Sequence, residues 1–241
     1  MFDAKNLLDQ FLGGGQPQPG AQRGGGLNDM LGQFNGLGGL GGGAVAGGLA
    51  ALLLGSKQGR KLTGNVLQYG GMAVVGALAY RAYQNYQANR ASSPAAPTQF
   101  LPPPSDTPFA PAAPADQQTL ARSLLRAMIA AAKADGHVDN KEQAAIFSEM
   151  EKMPLSPDDR NFVLDELRKP LDIEAVARGG RTPEEAASIY TASLLAIDVD
   201  NAAERGYLAM LAARLNLDDA LVKHLHNTVE SAGALQPTSA V

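Results

Sequence analysis

The chain has 241 residues, a formal net charge of −4 and no cysteine, a size that suits one or two domains. Without cysteine there can be no disulfide, thiolate metal site, iron–sulfur cluster or cysteine nucleophile. The mild acidity argues against a nucleic-acid binder.

The averages conceal a division. Of the 27 glycines, 22 lie at or before Gly76, and 8 of the 15 prolines lie between Pro94 and Pro114. Residues 1–115 carry a charge of +3 and residues 116–241 a charge of −7. Two stretches so different are expected to meet different solvents or partners.

In chain order, residues 1–12 place Phe2, Leu7, Leu8, Phe11 and Leu12 at the spacing of a short amphipathic helix. No secretory signal is visible in them. Gly13–Gly26 reads as a flexible linker, so 1–34 forms the first segment. Residues 35–83 form a Gly/Ala-rich hydrophobic region. Asn35–Ser56 is uncharged, Lys57, Arg60 and Lys61 follow, and Leu62–Tyr80 is uncharged again. Both uncharged stretches approach the roughly 20 apolar residues that cross a bilayer. Their small residues at spacings of three and four, such as Gly39, Gly43 and Gly47, allow close helix contact and homo-oligomer formation. A membrane hairpin turning at Lys57–Lys61 is one expectation and a Gly-rich spacer the other. Residues 84–115 read as a Pro/Ala-rich, semi-rigid linker.

From Asp116 the pattern is helical throughout. Helices are expected near 117–134, 140–152, 157–168, 172–178, 183–197, 202–214 and 218–231, with a domain over 116–235 and a tail over 236–241. Four starts carry a capping residue three before an acid: Asp139/Glu142, Ser156/Asp159, Thr182/Glu185 and Asn201/Glu204. Asp218 is expected to cap the last helix. Apolar stripes run through Leu120, Leu124 and Met128; Ala186, Tyr190, Ser193 and Ile197; Tyr207, Leu211 and Leu215; and Leu221, Leu225 and Val229. The fold class is thus all-α, a compact bundle of about seven helices.

Ala134–Glu142 and Ala196–Glu204 form a weak internal repeat, each with an acidic turn. Asp135, Asp139 and Glu142 from one turn, and Asp198, Asp200 and Glu204 from the other, offer the oxygen ligands a hard divalent cation takes. Neither turn is an EF-hand, because the twelfth positions are Ile146 and Ala209 where a bidentate Glu is needed. Helix capping is the competing role of Asp139, Glu142, Asn201 and Glu204. His137 lies in the first turn. His224 and His226, two apart on a helix, point in different directions and are expected at the surface. Arg205 is expected to pair with an acid.

The run Ala132-Lys-Ala-Asp-Gly-His-Val-Asp-Asn-Lys-Glu142 resembles the first signature of tellurite-resistance TerB-like domains, and Ala196–Arg205 resembles the second. The layout is similar to the YebE-like bacterial inner-membrane proteins of unknown function. This resemblance implies a TerB-like bundle whose two acidic turns cluster and bind divalent cations, Ca²⁺ ahead of Mg²⁺. The second turn lacks the Asp-Gly pair of the first, which separates it from the family pattern. The resemblance also implies a stress-associated membrane complex rather than an enzyme.

The expected function is a non-catalytic module at the bacterial inner membrane, tethered through 35–83 and meeting an unidentified protein partner. The side its domain faces is left open, with a lean to the cytoplasm. The alternatives are a metal-independent interaction scaffold and a metal-dependent hydrolase.

Overall fold

The computed structural model describes residues 2–12, 70–88, 102–134, 155–197, 199 and 202–233. Among these residues lie eight helices and no strand. They are α1 (Ala4–Leu12), α2 (Gly71–Gln87), α3 (Pro114–Ala132), α4 (Pro157–Arg168), α5 (Ile173–Ala177), α6 (Pro183–Ala196), α7 (Ala202–Arg214) and α8 (Asp219–Gly233). The expected helix at 140–152 lies outside the described residues.

α6 is the centre of the bundle. The Thr182 hydroxyl accepts from the Glu185 N–H, and Pro183 starts the first turn. Every residue from Ala186 to Ala196 is buried, and a helix apolar or small on all sides belongs in the middle of a core. Its hydroxyls are satisfied locally. Thr191 donates to the Ala187 carbonyl at 2.8 Å and Ser188 to that of Glu184 at 3.0 Å. α2, α3, α5, α7 and α8 pack around it.

Local cues explain most boundaries. Ser156 and Asp159 form a full capping box on α4, and Asp172 caps α5 through the Ala175 N–H. The Asp218 carboxylate accepts from the Ala220 N–H at 2.7 Å at the start of α8. The chain turns out of α7 at Asn216, two residues past its end at Arg214, with φ 52°. There the Leu217 N–H reaches the Ala212 carbonyl and the Asn216 N–H that of Ala213, a Schellman closure with asparagine in the left-handed position. All four apolar stripes are buried.

The division drawn from composition at residue 116 does not coincide with the packing. α1 and α2 share one core with the C-terminal helices. Ala4, Leu7 and Leu8 are fully buried, as are Val74, Val75, Ala79 and Ala82. α2 packs between α6 and α8, and α1 lies on α2 and α3. Gly71–Tyr80, the described part of the apolar run ending at Tyr80, is therefore part of a core helix. Among the described residues no helix is long and apolar enough to cross a membrane. The remainder of the hydrophobic region, 35–69, lies outside the described residues.

Part of the proline-rich segment is also packed. Phe109 is buried and lies edge-on to Tyr80, with ring centroids 5.5 Å apart. The reason is Gly76: a Cβ there would fall 2.4 Å from the Phe109 carbonyl oxygen. Glycine alone lets the 102–113 segment lie on α2, so that part is not a free spacer.

Candidate functional site

The two acidic turns follow α3 and α6, so the relation between those helices positions them. Ser193 on α6 donates to the Ala127 carbonyl on α3 at 3.3 Å. One turn earlier, Ser123 and Ile189 both lie beside Gly179, where a Cβ would fall 2.9 Å from the Ser123 oxygen and 3.0 Å from Ile189 Cδ1. Both pairings join residues separated by 66 in sequence, so α3 and α6 run parallel. Their C-terminal ends, Ala132 and Ala196, therefore open at the same end of the bundle. In sequence, an acidic turn follows each of them.

A third helix is fixed to the same place. The Tyr207 hydroxyl on α7 lies 3.3 Å from the Ser193 hydroxyl and 3.4 Å from the Ala127 carbonyl. Burial pushes its pKa up to about 12. Glu204 precedes it by nearly one turn on the same helix. Glu204 is half-buried, with its Oε2 out of solvent. Arg205 Nη1 donates to the Val199 carbonyl at 3.2 Å. Tyr207 and Ser193 were visible in the sequence only as members of apolar stripes.

The other five acidic candidates, Asp135, Asp139, Glu142, Asp198 and Asp200, lie outside the described residues, as does His137. Among the described residues, no group of three or more His, Asp or Glu side chains could hold a metal ion.

Cations gather between α3 and the end of α4. Arg126 makes a two-pronged contact with Glu166, at 3.2 and 3.1 Å, and Lys169 adds a bond at 2.8 Å. Burial raises the Glu166 pKa, but the bonds from Arg126 and Lys169 outweigh it and hold the carboxyl below its usual range. Lys133, just after α3, donates to the Glu166 and Lys169 carbonyls. Desolvation lowers its pKa. These contacts fix α4 to the root of the first acidic turn.

The expectation of surface histidines is corrected. His224 is buried, and His226 Nε2 lies 2.9 Å from the Tyr190 hydroxyl. Burial holds the His226 pKa below its ordinary value and pushes that of Tyr190 up to about 12. α8 as a whole packs against α2 and α6, an arrangement its own sequence does not reveal.

The model of DUF533, a family of unknown function, matches residues 39–229. The chain belongs to the DUF533 family. DUF533 is a TerB-like family, in keeping with the acidic-turn signatures. The DUF533 match takes in part of the hydrophobic region together with the helices from α2 almost to the end of α8. The chain is 36% identical over 105 residues to an uncharacterized protein in the ampR 5′ region of Yersinia enterocolitica. That alignment covers 44% of this chain and 74% of the relative. No solved structure matches the DUF533 chain.

Proposed function

We propose that this chain is a non-catalytic, membrane-associated interaction module of the YebE-like kind. It binds a divalent cation, Ca²⁺ ahead of Mg²⁺, where its two acidic turns emerge. The observation that supports this reading is the parallel arrangement of α3 and α6, which brings Ala132 and Ala196, the helix ends that precede the two turns in sequence, to one end of the bundle. Asp135, Asp139, Glu142, Asp198, Asp200 and Glu204 would hold the ion. The half-buried Glu204 suits that role, since a carboxylate oxygen removed from water gains most from a nearby cation. A bound cation would neutralise mutual repulsion and bias the helices that carry the turns, as cations do in sensor proteins. The uncharged Asn35–Ser56 stretch, which the family match largely covers, supports the membrane association.

The test is a calorimetric titration of Ca²⁺ and Mg²⁺ into the full chain, beside its melting temperature. Saturable binding with a rise in melting temperature, lost in Asp139→Ala/Glu142→Ala, is the expected result. No heat and no stabilisation at millimolar metal would refute cation binding.

One observation favours a second reading, a metal-independent scaffold. Ser156 and Asp159, with the spacing of Asn201 and Glu204, form a working capping box. Partner binding unchanged by chelators would then be expected.

A further inference from the structure

α1 is seated on the bundle by specific contacts at both of its ends. At its start the Asp3 N–H donates to Asp159 Oδ1 at 2.9 Å, and Asp3 Oδ1 accepts from Gln118 Nε2 on α3 at 2.7 Å. The Phe2 ring centroid lies 4.6 Å from that of Phe162 on α4, and the Arg122 guanidinium of α3 stands 4.7 Å over it. Near its end Asp9 Oδ1 accepts from the Met72 N–H of α2 at 3.3 Å. Gly70, with φ +82°, passes so close to that carboxylate that a Cβ would fall 2.8 Å from Oδ1, so the position demands glycine by dihedral and by space. Between these ends Ala4, Leu7 and Leu8 are fully buried. An aromatic residue held beside an arginine, with apolar residues at helical spacing, is the pattern of an amphipathic helix docked in a groove.

The groove belongs to α2, α3 and α4, and in sequence α1 is far from all of them. Residues 13–69 separate Leu12 from Gly70. That number of residues can reach about 190 Å, so the covalent connection does not oblige α1 to lie in the groove of its own chain. A helix of nine residues is marginal alone, and the groove of any copy of the chain offers it the same seat.

We propose that α1 is exchanged between two copies of this chain, each copy's α1 lying in the groove of the other. The arrangement closes on itself. When α1 of one chain occupies the second chain's groove, the two-fold relation returns the second α1 to the first, and neither groove is left empty. Exchange keeps every contact between α1 and its seat, because helix and groove are unchanged. Chain concentration therefore governs the balance between the exchanged and unexchanged forms.

The absence of cysteine allows a direct test on the full chain. The Lys5 N–H donates to Gln118 Oε1 at 3.3 Å, and the exposed Ala115 stands three residues before Gln118 on α3. Lys5→Cys is made in one chain and Ala115→Cys in a second that carries an affinity tag. The two are unfolded together, refolded at a series of concentrations and treated with a short bismaleimide. The expected result is a covalent heterodimer that grows with concentration. It should exceed several-fold the product of a collision control, in which Met210→Cys on α7, 53% exposed, replaces Lys5→Cys. Adding Phe2→Ala to the Lys5→Cys chain should return the yield to that control. The double variant Lys5→Cys/Ala115→Cys, refolded at high dilution, should close within one chain. Closure of the double variant with no heterodimer above the control at any concentration would overturn the exchange. Failure of the double variant to close would overturn the seat and the exchange with it. Sedimentation of the unsubstituted chain should show a dimer that declines on dilution, and a monomer at every concentration would also overturn the proposal.

Discussion

Asp159 joins two jobs that a sequence cannot show together. Its carboxylate closes the α4 capping box, and its Oδ1 also accepts from the Asp3 N–H at 2.9 Å, with only 6% of the residue exposed. The first job is legible from Ser156 three residues away. The second comes from a partner 156 positions distant, and no local pattern carries it. Asp159→Ala removes a cap and orphans a backbone donor, so a loss of about 2 kcal/mol is expected in denaturant unfolding. Gly76→Ala places a methyl against the Phe109 carbonyl and is expected to cost about 2 kcal/mol by overpacking, read as a lower melting temperature. His226 supplies a pH dependence. Its pKa is depressed by burial in the folded state, so the unfolded chain binds the proton more readily. Stability is full above its ordinary value of 6.5 and declines as pH falls through the folded value. His226→Gln should flatten the unfolding free energy in that window. The depressed Glu166 pKa adds a separate loss in more acidic solution, as pH falls from its ordinary 4.5 through its folded value.

At the scale of elements, α4, α5, α6 and α8 were legible because Ser156, Asp172, Thr182 and Asp218 cap their starts, and α3 and α7 because their buried faces repeat at helical spacing. α4 and α7 coincide with the expected 157–168 and 202–214. α2 was not assigned to the core because a short uncharged run reads alike for a core helix and a bilayer segment. Only tertiary partners separate the two, and Val74, Val75 and Leu78 find theirs in the bundle. α1 was foreseen as an amphipathic helix, but its seat was not. Phe2 lies on Phe162 with ring centroids 4.6 Å apart, and the Arg122 guanidinium stands 4.7 Å over its ring. Nine residues make a marginal helix alone, so α1 owes its form to that seat. A fragment covering 116–241 lacks both helices and bares the faces of α6 and α8 that α2 covers. It is expected to bind a hydrophobic dye and to lose its near-ultraviolet circular dichroism, whereas a fragment beginning at Gly70 keeps more of both native features. Native-like behaviour of the shorter fragment would refute this account of α2.

For the whole molecule, the common end shared by Ala132 and Ala196 follows from the parallel α3–α6 pair. The internal repeat hinted at two similar units but not at their relative direction, because packing direction is a long-range property. If the turns share a cation, Glu204→Gln should weaken Ca²⁺ binding roughly tenfold, measured by titration of the full chain, without moving the apo melting temperature by more than a cap's worth. The Tyr207 hydroxyl, close to one acceptor on α3 and one on α6, makes this end of the bundle a tripod. Three legs meet at a single pivot, which resists splaying but permits the third leg to roll.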